Sequence, residues 1–414
     1  MKIKRVISCL LVAVFSMSLL LVQESAQAKI GTVQKILPSE LHVEGRYIYN
    51  AEGEKVRLTG ANIPDLQWAT GGDNDLMKRV GLLCDSWNAN CVRLCVHSKF
   101  WFGQEWYQGK SYGDYRKMVD NVINQITSRG KYVILNLHEF YAITEQQKDF
   151  WNDAVEVYGN NPHDIDWEMW RNGGMLETTD SYGKKTQRVY GHQEILDMIR
   201  NKGAKNIVIA GGLDWSYYFD GLCDGYNGME HGYKLEDKTG NGVIYDTHIY
   251  PMKPEYNPVE KAVECLVDEA PILVGEYGHW GERLFDWYDN YLCEYPHVWM
   301  NEIHDFIDRN ELNYTAWSFH TGANPNMFMD YDTFTPSNYS GIYMKYKMLQ
   351  EPETRPEEKD RQYVDPSPLS TWEHIIDFDD NTVDFKVYGK EVRTERTDSG
   401  YEGRGQLIDF DRSC

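Results

Sequence analysis

The sequence predicts a parallel α/β barrel, (β/α)8 in plan, with its fourth strand missing from the pattern and a short β appendage at the carboxyl end. Three observations carry that expectation. Short apolar runs recur with helical stretches between them, which is the signature of βαβ units. The runs are continuously apolar, as strands covered on both faces are. One of them, Pro271-Ile-Leu-Val-Gly-Glu-Tyr-Gly278, delivers a single carboxylate, Glu276, at its carboxyl end between two glycines. That end is where barrels of this kind gather their chemistry.

In chain order, Leu41 to Leu58 reads as an opening hairpin turning at Asn50-Ala-Glu-Gly53, and Val56 to Asn62 as a first β-run. A helical pattern from Leu76 to Ala89 leads to a strand over Cys91 to Val96, and an amphipathic stretch from Tyr115 to Ser128 leads to one over Tyr132 to Leu137. Downstream, a helix from Gln193 to Lys202 precedes Asn206 to Ala210. Then come the run Gly242 to Tyr250, a helix from Val259 to Val267, and the Glu276 strand. A helix from Val298 to Asn310, the strand Tyr314 to Ser318 and a helix from Tyr339 to Gln350 close the ring. Between Leu137 and Asn206 a helix is expected from Gln146 to Val157, but no continuous apolar run of strand length follows it. Ile165 to Trp170 is the one candidate, and its alternation with Asp166 and Glu168 marks it as half-exposed.

The first residues, Met1-Lys-Ile-Lys-Arg5, are basic, Val6 to Val22 is weakly polar or apolar, and Ala26-Gln-Ala28 offers a small-x-small cleavage site. This is the pattern of a secretory signal peptide over residues 1–28, so a secreted, extracellular protein is expected. The barrel is then expected over residues 29–352, a Pro-, Glu- and Lys-rich linker over 353–370, and a β-rich tail over 371–414. In the tail, Ile375-Ile-Asp-Phe-Asp-Asp-Asn-Thr382 resembles the opening strands of a jelly-roll carbohydrate-binding module. A sandwich of about eight strands does not fit in it, so the tail is either a truncated module or a simple appendage. The formal charge of −22 argues against nucleic acid or an anionic membrane surface as partner. The eight cysteines, of which Cys9 lies in the signal, show neither zinc-type spacing nor the density of a disulfide scaffold, and Cys91 and Cys95 read as core residues. The 13 Trp and 29 Tyr point to a glycan, whose sugar rings stack their C–H faces on such side chains.

At or just beyond the strand ends stand Asn62 and Trp68, Arg93, His138, Trp215, His248 with Tyr250, Glu276, and Trp317. A carboxylate nucleophile needs a cation and hydroxyl donors to keep it ionised and aimed, which Arg93, His248 and Tyr250 can supply. Trp317, Trp215 and Trp101 are candidate platforms for a sugar. Arg93 lies inside an apolar run, where a guanidinium must be paired.

With these residues in hand the chain resembles the family-five glycoside hydrolases, the cellulase-type members of a large clan of barrel glycosidases. The likeness runs from about Leu41 to Gln350. It is carried by Val92-Arg-Leu94, Leu135-Asn-Leu-His138, Gly211-Gly-Leu-Asp-Trp215, Asp246-Thr-His-Ile-Tyr250, Val274-Gly-Glu-Tyr-Gly278 and Ala316-Trp317. The resemblance implies that Glu276 is the nucleophile of a retaining glycosidase, supported by Arg93, His248 and Tyr250. It also implies that His138, Trp215 and Trp317 meet the substrate, and that no metal or organic cofactor takes part.

One departure stands against these matches. The family places its acid/base glutamate in an Asn-Glu-Pro motif at the end of strand four, and this sequence has none. Continuation through Pro162-His-Asp-Ile165 puts Asn160 and Asn161 in the motif's Asn and Glu positions, and a register through Trp167 to Trp170 puts Arg171 and Asn172 there. A deletion of roughly ten residues beside Pro162 removes strand and acid together, in agreement with the missing apolar run. The expected function is a secreted, monomeric endo-β-1,4-glucanase acting on β-glucan with its acid unassigned. Glu168 is the candidate for a borrowed acid, and a non-catalytic glycan-binding protein is the alternative. Glucan against mannan or xylan stays open.

Overall fold

The computed structural model describes residues 37–64, 66–68, 72–104, 112–139, 142–154, 158–159, 166–180, 183–251, 263, 265–280, 296–350, 392–400 and 403–410. The predicted signal, the linker and the first part of the tail lie outside them. The chain opens with a small antiparallel sheet of β1 (Leu41–Glu44), β2 (Tyr47–Asn50) and β3 (Lys55–Val56). The Asn50 side chain makes the predicted turn by accepting from the backbone N–H groups of Glu52 and Glu54. The first barrel strand, β4 (Thr59–Ile63), starts later than expected. Arg57 instead turns its guanidinium to Leu312 O at 2.8 Å and Asp308 at 2.7 Å.

Helix α1 (Gly72–Gly81) continues into one π-helical turn over Leu82–Ser86 before β5 (Cys91–Val96). Next come α2 (Tyr112–Thr127), β6 (Tyr132–Leu137), α3 (Glu145–Ala154) and a two-residue strand, β7 (Tyr158–Gly159). Helix α4 (Trp167–Asn172) is followed by an exposed hairpin, β8 (Gly174–Asp180) and β9 (Gly183–Val189), and then by α5 (His192–Asn201). The barrel resumes with β10 (Val208–Gly211), β11 (Val243–Ile249), β12 (Ile272–Tyr277), α6 (Pro296–Arg309), β13 (Asn313–Ala316) and α7 (Gly341–Gln350). In the tail, β14 (Val392–Gly400) and β15 (Gly403–Phe410) form an antiparallel hairpin. The predicted helix from Val259 to Val267 lies mostly outside the described residues, and 265–269 are turns.

The main sheet is parallel throughout and runs β6-β5-β4-β13-β12-β11-β10-β7. Strands β4, β5, β10, β12 and β13 are buried at every position, as expected of runs covered by barrel interior on one side and helices on the other. The fourth position is the exception. β7 reaches only Ile209 and Ala210 of β10, and among the described residues no ladder joins it to β6. In the amino-terminal half of the wall a cavity of about 410 Å³ is lined by Tyr132, Ile134, Ile207, Ile209 and Ile244, where a full strand would run.

Ile165 to Trp170 is not that strand. From Trp167 it is helix α4, started by Asp166, whose carboxylate accepts from Met169 N at 2.9 Å. The apparent alternation is a helical pair, since Trp167 and Trp170 are three apart and bury the same face. The Trp170 indole donates to Gly211 O at 2.9 Å, so α4 packs at the carboxyl end of β10.

A disulfide joins Cys223 to Cys265, 42 residues apart, a pairing that the cysteine count alone did not indicate. Cys84, Cys91 and Cys95 are buried thiols outside the disulfide, the last two in the core as predicted. Closing a loop of this length removes about 4 kcal/mol of chain entropy from the unfolded state. The double variant Cys223→Ala/Cys265→Ala is therefore expected to unfold at lower denaturant by an amount of that order. Equal midpoints in urea would show that the bridge adds nothing.

Candidate active site

Glu276 is delivered as the sequence predicts, at the end of β12, and is only 6% exposed. Glycine is required before it, because a Cβ on Gly275 would lie 1.9 Å from Asp246 Oδ1. Arg93, the third residue of β5, donates Nη1 to Glu276 Oε1 at 2.8 Å. The Tyr250 hydroxyl donates to Oε2 at 3.1 Å. His248 Nδ1 stands 3.6 Å from Oε2 and His138 Nδ1 3.8 Å from Oε1. Groups from β5, β11 and the end of β6 thus converge on the carboxylate that β12 carries.

The next layer fixes these groups. Asn62 on β4 accepts from Arg93 Nη1 at 2.5 Å, while its amide donates to Gly275 O, Thr315 O and Ala316 O at 2.8, 2.9 and 3.1 Å. One buried side chain therefore ties β4 to β12 and β13 and aims the guanidinium. His248 Nε2 lies 2.9 Å from Asp246 Oδ2, which leaves Nδ1 on the Glu276 side. The His138 ring stacks on Trp317 with centroids 5.2 Å apart, and the Trp317 indole donates to Asn324 O at 3.1 Å.

Burial by itself would raise the Glu276 carboxyl. The charges of His248, Arg93 and His138, with the Arg93 hydrogen bond, overcome it and bring the group down to about 2. Burial pushes His138 down to about 4, so its imidazole is neutral at neutral pH. The Tyr250 hydroxyl is raised, by burial first and then by the Glu276 charge, and stays a donor. Glu276 is therefore an ionised, desolvated carboxylate, which is what a nucleophile requires.

The depressed value has a consequence for stability. A carboxyl lowered in the folded state contributes stability that is fully present above its ordinary value of 4.5 and is lost as pH falls through about 2. The contribution is of order 3 kcal/mol. Urea midpoints measured from pH 6 down to pH 2 should fall more steeply for the parent than for Glu276→Gln. Parallel curves would contradict the pairing.

The remaining predicted residues are placed differently. Trp215 follows β10 in a left-handed segment, Asp214, Trp215 and Ser216 having φ of 51, 55 and 65°, and its ring is 36% exposed. Left-handed backbone at non-glycine residues costs about 1–2 kcal/mol each, and here it turns an aromatic ring to solvent. Trp101 is not a platform. It is buried, donates Nε1 to Asp153 at 2.8 Å and packs on Phe150. Glu168 sits on the exposed face of α4 and accepts from Asn172 Nδ2 at 2.8 Å, without the strand-end placement of the other groups. Trp68 has no described side chain.

Sequence reasoning missed three neighbours. Trp280, four residues after Glu276, packs on Tyr250 with centroids 5.5 Å apart. Glu139, the residue after His138, is 4% exposed and accepts from Ser98 N at 2.7 Å, Ser98 Oγ at 2.5 Å and Gln147 Nε2. His97, the residue after β5, has Nδ1 2.9 Å from Glu139 Oε1. All three lie at strand ends, which was the signal available. Neither Glu139 nor Asp246 has the character of a general acid for this site. Burial would raise Glu139, but His97, Ser98 and Gln147 hold it at about 2, ionised. Asp246 is raised by burial but wholly enclosed, with one oxygen held by His248.

Comparison with known proteins agrees with this architecture. The family description Cellulase (glycosyl hydrolase family 5) matches residues 49–322. Endoglucanase MaCel5A from Microbulbifer sp. (strain ALW1) is 22% identical over 303 residues, covering 69% of this chain and 52% of that protein. Cellulase CelDZ1 from Thermoanaerobacterium sp is 25% identical over 301 residues, covering 69% and 71%. The chain spans about half the length of the endoglucanases such as MaCel5A that it matches. Among solved structures, β-glucanase SdGluc5_26A from Saccharophagus degradans in complex with cellotetraose superposes with a TM-score of 0.58 at 19% identity, covering 76% of this chain and 95% of that one. A β-mannanase from Streptomyces thermolilacinus with mannohexaose gives 0.52 at 16%, covering 75% and 96%. The structural likenesses carry the barrel fold, and the sequence match carries the family. The chain belongs to glycosyl hydrolase family 5.

Proposed function

We propose that this protein is a secreted β-1,4-glucan-directed retaining glycosidase of the endoglucanase type, with Glu276 as nucleophile and its acid/base position empty. The observation that carries the reading is the enclosure of an ionised Glu276 by Arg93 of β5, His138 after β6, and His248 and Tyr250 at the end of β11. Arg93, His248 and Tyr250 hold and aim the carboxylate, and His138, Trp215 and Trp317 meet the sugar. A retaining mechanism needs a second carboxyl about 5 to 5.5 Å from the first. Among the described residues, the fourth barrel position, which would carry it, is the two-residue strand β7.

That same gap favours a second reading, a glycan-binding protein without turnover. Reducing-end release from soluble cellulose, measured beside retention on it, separates the two. Release with retention supports the enzyme, and retention alone supports the binding protein. Loss of both sinks the glycan reading. The cellotetraose and mannohexaose held by the two structural neighbours make glucan and mannan the substrates to compare. Export through residues 1–28, a barrel over 29–352, a linker over 353–370 and a separate tail over 371–414 complete the proposal. The amino-terminal sequence of the secreted protein tests the first of these.

A further inference from the structure

The mechanism above leaves one prepared histidine unused. His97 follows β5 directly, four residues after Arg93, and so stands on the barrel face that carries Glu276. Its Nδ1 has no accessible surface and lies at ion-pair distance, 2.9 Å, from Glu139 Oε1 without the alignment of a hydrogen bond, and the side chain as a whole is 30% exposed. The open edge is therefore the opposite one, which carries Nε2. The ring meets Phe100 edge-on with centroids 5.9 Å apart, and the His97 backbone N–H donates to the Tyr115 hydroxyl at 3.2 Å. Both the ring and its backbone are fixed.

The carboxylate behind it is costly to bury, and Ser98 N, Ser98 Oγ and Gln147 Nε2 all donate to it to keep it ionised. A buried carboxylate close to Nδ1 favours the proton on that nitrogen, which presents Nε2 to whatever lies outside. What lies near is the sugar site, since the His138 backbone N–H donates to Val96 O at 2.8 Å and so sets His97 beside His138, the ring stacked on Trp317.

We propose that His97, held by Glu139, is a substrate-contacting residue whose Nε2 hydrogen-bonds a hydroxyl of the bound glycan and so adds a reading position beside the His138–Trp317 platform. The inference rests on the glycan reading of Glu276 and its neighbours. A neutral imidazole fixed in this way offers an acceptor to a sugar hydroxyl, and a protonated one offers a donor.

The test is calorimetric titration of cellotetraose into the full chain carrying Glu276→Gln, which prevents turnover, and into the same protein with His97→Ala, His97→Asn or His97→Gln. Asn reproduces the inner nitrogen that faces Glu139, and Gln the outer one. Loss of the contact should weaken binding about 10-fold in His97→Ala and equally in His97→Asn, with His97→Gln recovering most of it. A purely structural role predicts the reverse order, with His97→Asn binding like its parent, and that order would overturn the proposal. Unchanged affinity in His97→Ala would do the same. Failure of the Glu276→Gln parent itself to bind cellotetraose or mannohexaose would instead remove the glycan reading, and this inference with it.

Discussion

Glu276→Gln is expected to abolish hydrolysis, by about 10³-fold or more on an activated aryl cellobioside, while leaving cellotetraose binding within a few fold of the parent. The substitution removes the attacking oxygen anion and the charge opposite Arg93, with a loss of stability of order 3 kcal/mol, and keeps the shape of the side chain. The amide carbonyl can take the place of Oε1 and still accept from Arg93 Nη1, whose 2.8 Å bond is the shorter of the two to the carboxylate. At the other oxygen an NH2 group faces Tyr250, whose hydroxyl can rotate from donor to acceptor. Arg93→Ala breaks the same pair from the other side and leaves no side chain of similar shape in its place. It leaves Glu276 buried without its cation, and breaking a buried pair from one side costs about 3–5 kcal/mol, so activity and stability should fall together. Turnover by Glu276→Gln equal to the parent's would remove Glu276 from the nucleophile's role.

Much of this was legible because barrel strands announce themselves chemically. Cys91 to Val96, Tyr132 to Leu137 and the Glu276 run are apolar along their length and are strands to within a residue. An arginine or a glutamate inside such a run has to be paired, so Arg93 and Glu276 can be matched from the sequence alone. What the sequence could not show was partnership at second hand. Asn62 was visible as a strand-end residue, but its four hydrogen bonds to three other strands depend on closure of the sheet. Glu139 was hidden by its neighbour His138, and only burial distinguishes it from a solvated rim carboxylate. The α4 segment was misjudged because six residues satisfy both periods, and the capping Asp166 was the tie-breaker. Trp101 failed as a platform for a related reason, since an aromatic near a strand end packs as readily as it stacks.

The other large effect concerns leaving groups, and follows from the proposed role of Glu276 as nucleophile and from a fourth strand that is incomplete among the described residues. With Glu276 held ionised, attack on the anomeric carbon needs no proton, but departure of a sugar alkoxide does. General acid catalysis typically contributes about 10²- to 10⁴-fold, so cellulose should be slow by that factor, whereas a dinitrophenolate leaves unprotonated and its β-cellobioside should still react. Water attacking the glycosyl-enzyme then lacks its general base, so the covalent intermediate should accumulate as a burst of dinitrophenol followed by slow turnover. Azide is already an anion and needs no base. Its addition should speed turnover of the dinitrophenyl cellobioside and appear in the product as the β-cellobiosyl azide, the ester bond to Glu276 breaking as the new C–N bond forms. The measurement compares both substrates with and without azide. Efficient cellulose hydrolysis without an azide response would mean that another group supplies the proton, with Glu168 the first to substitute. Silence on both substrates with cellotetraose still bound would identify a protein that keeps the glycan site and has lost its chemistry.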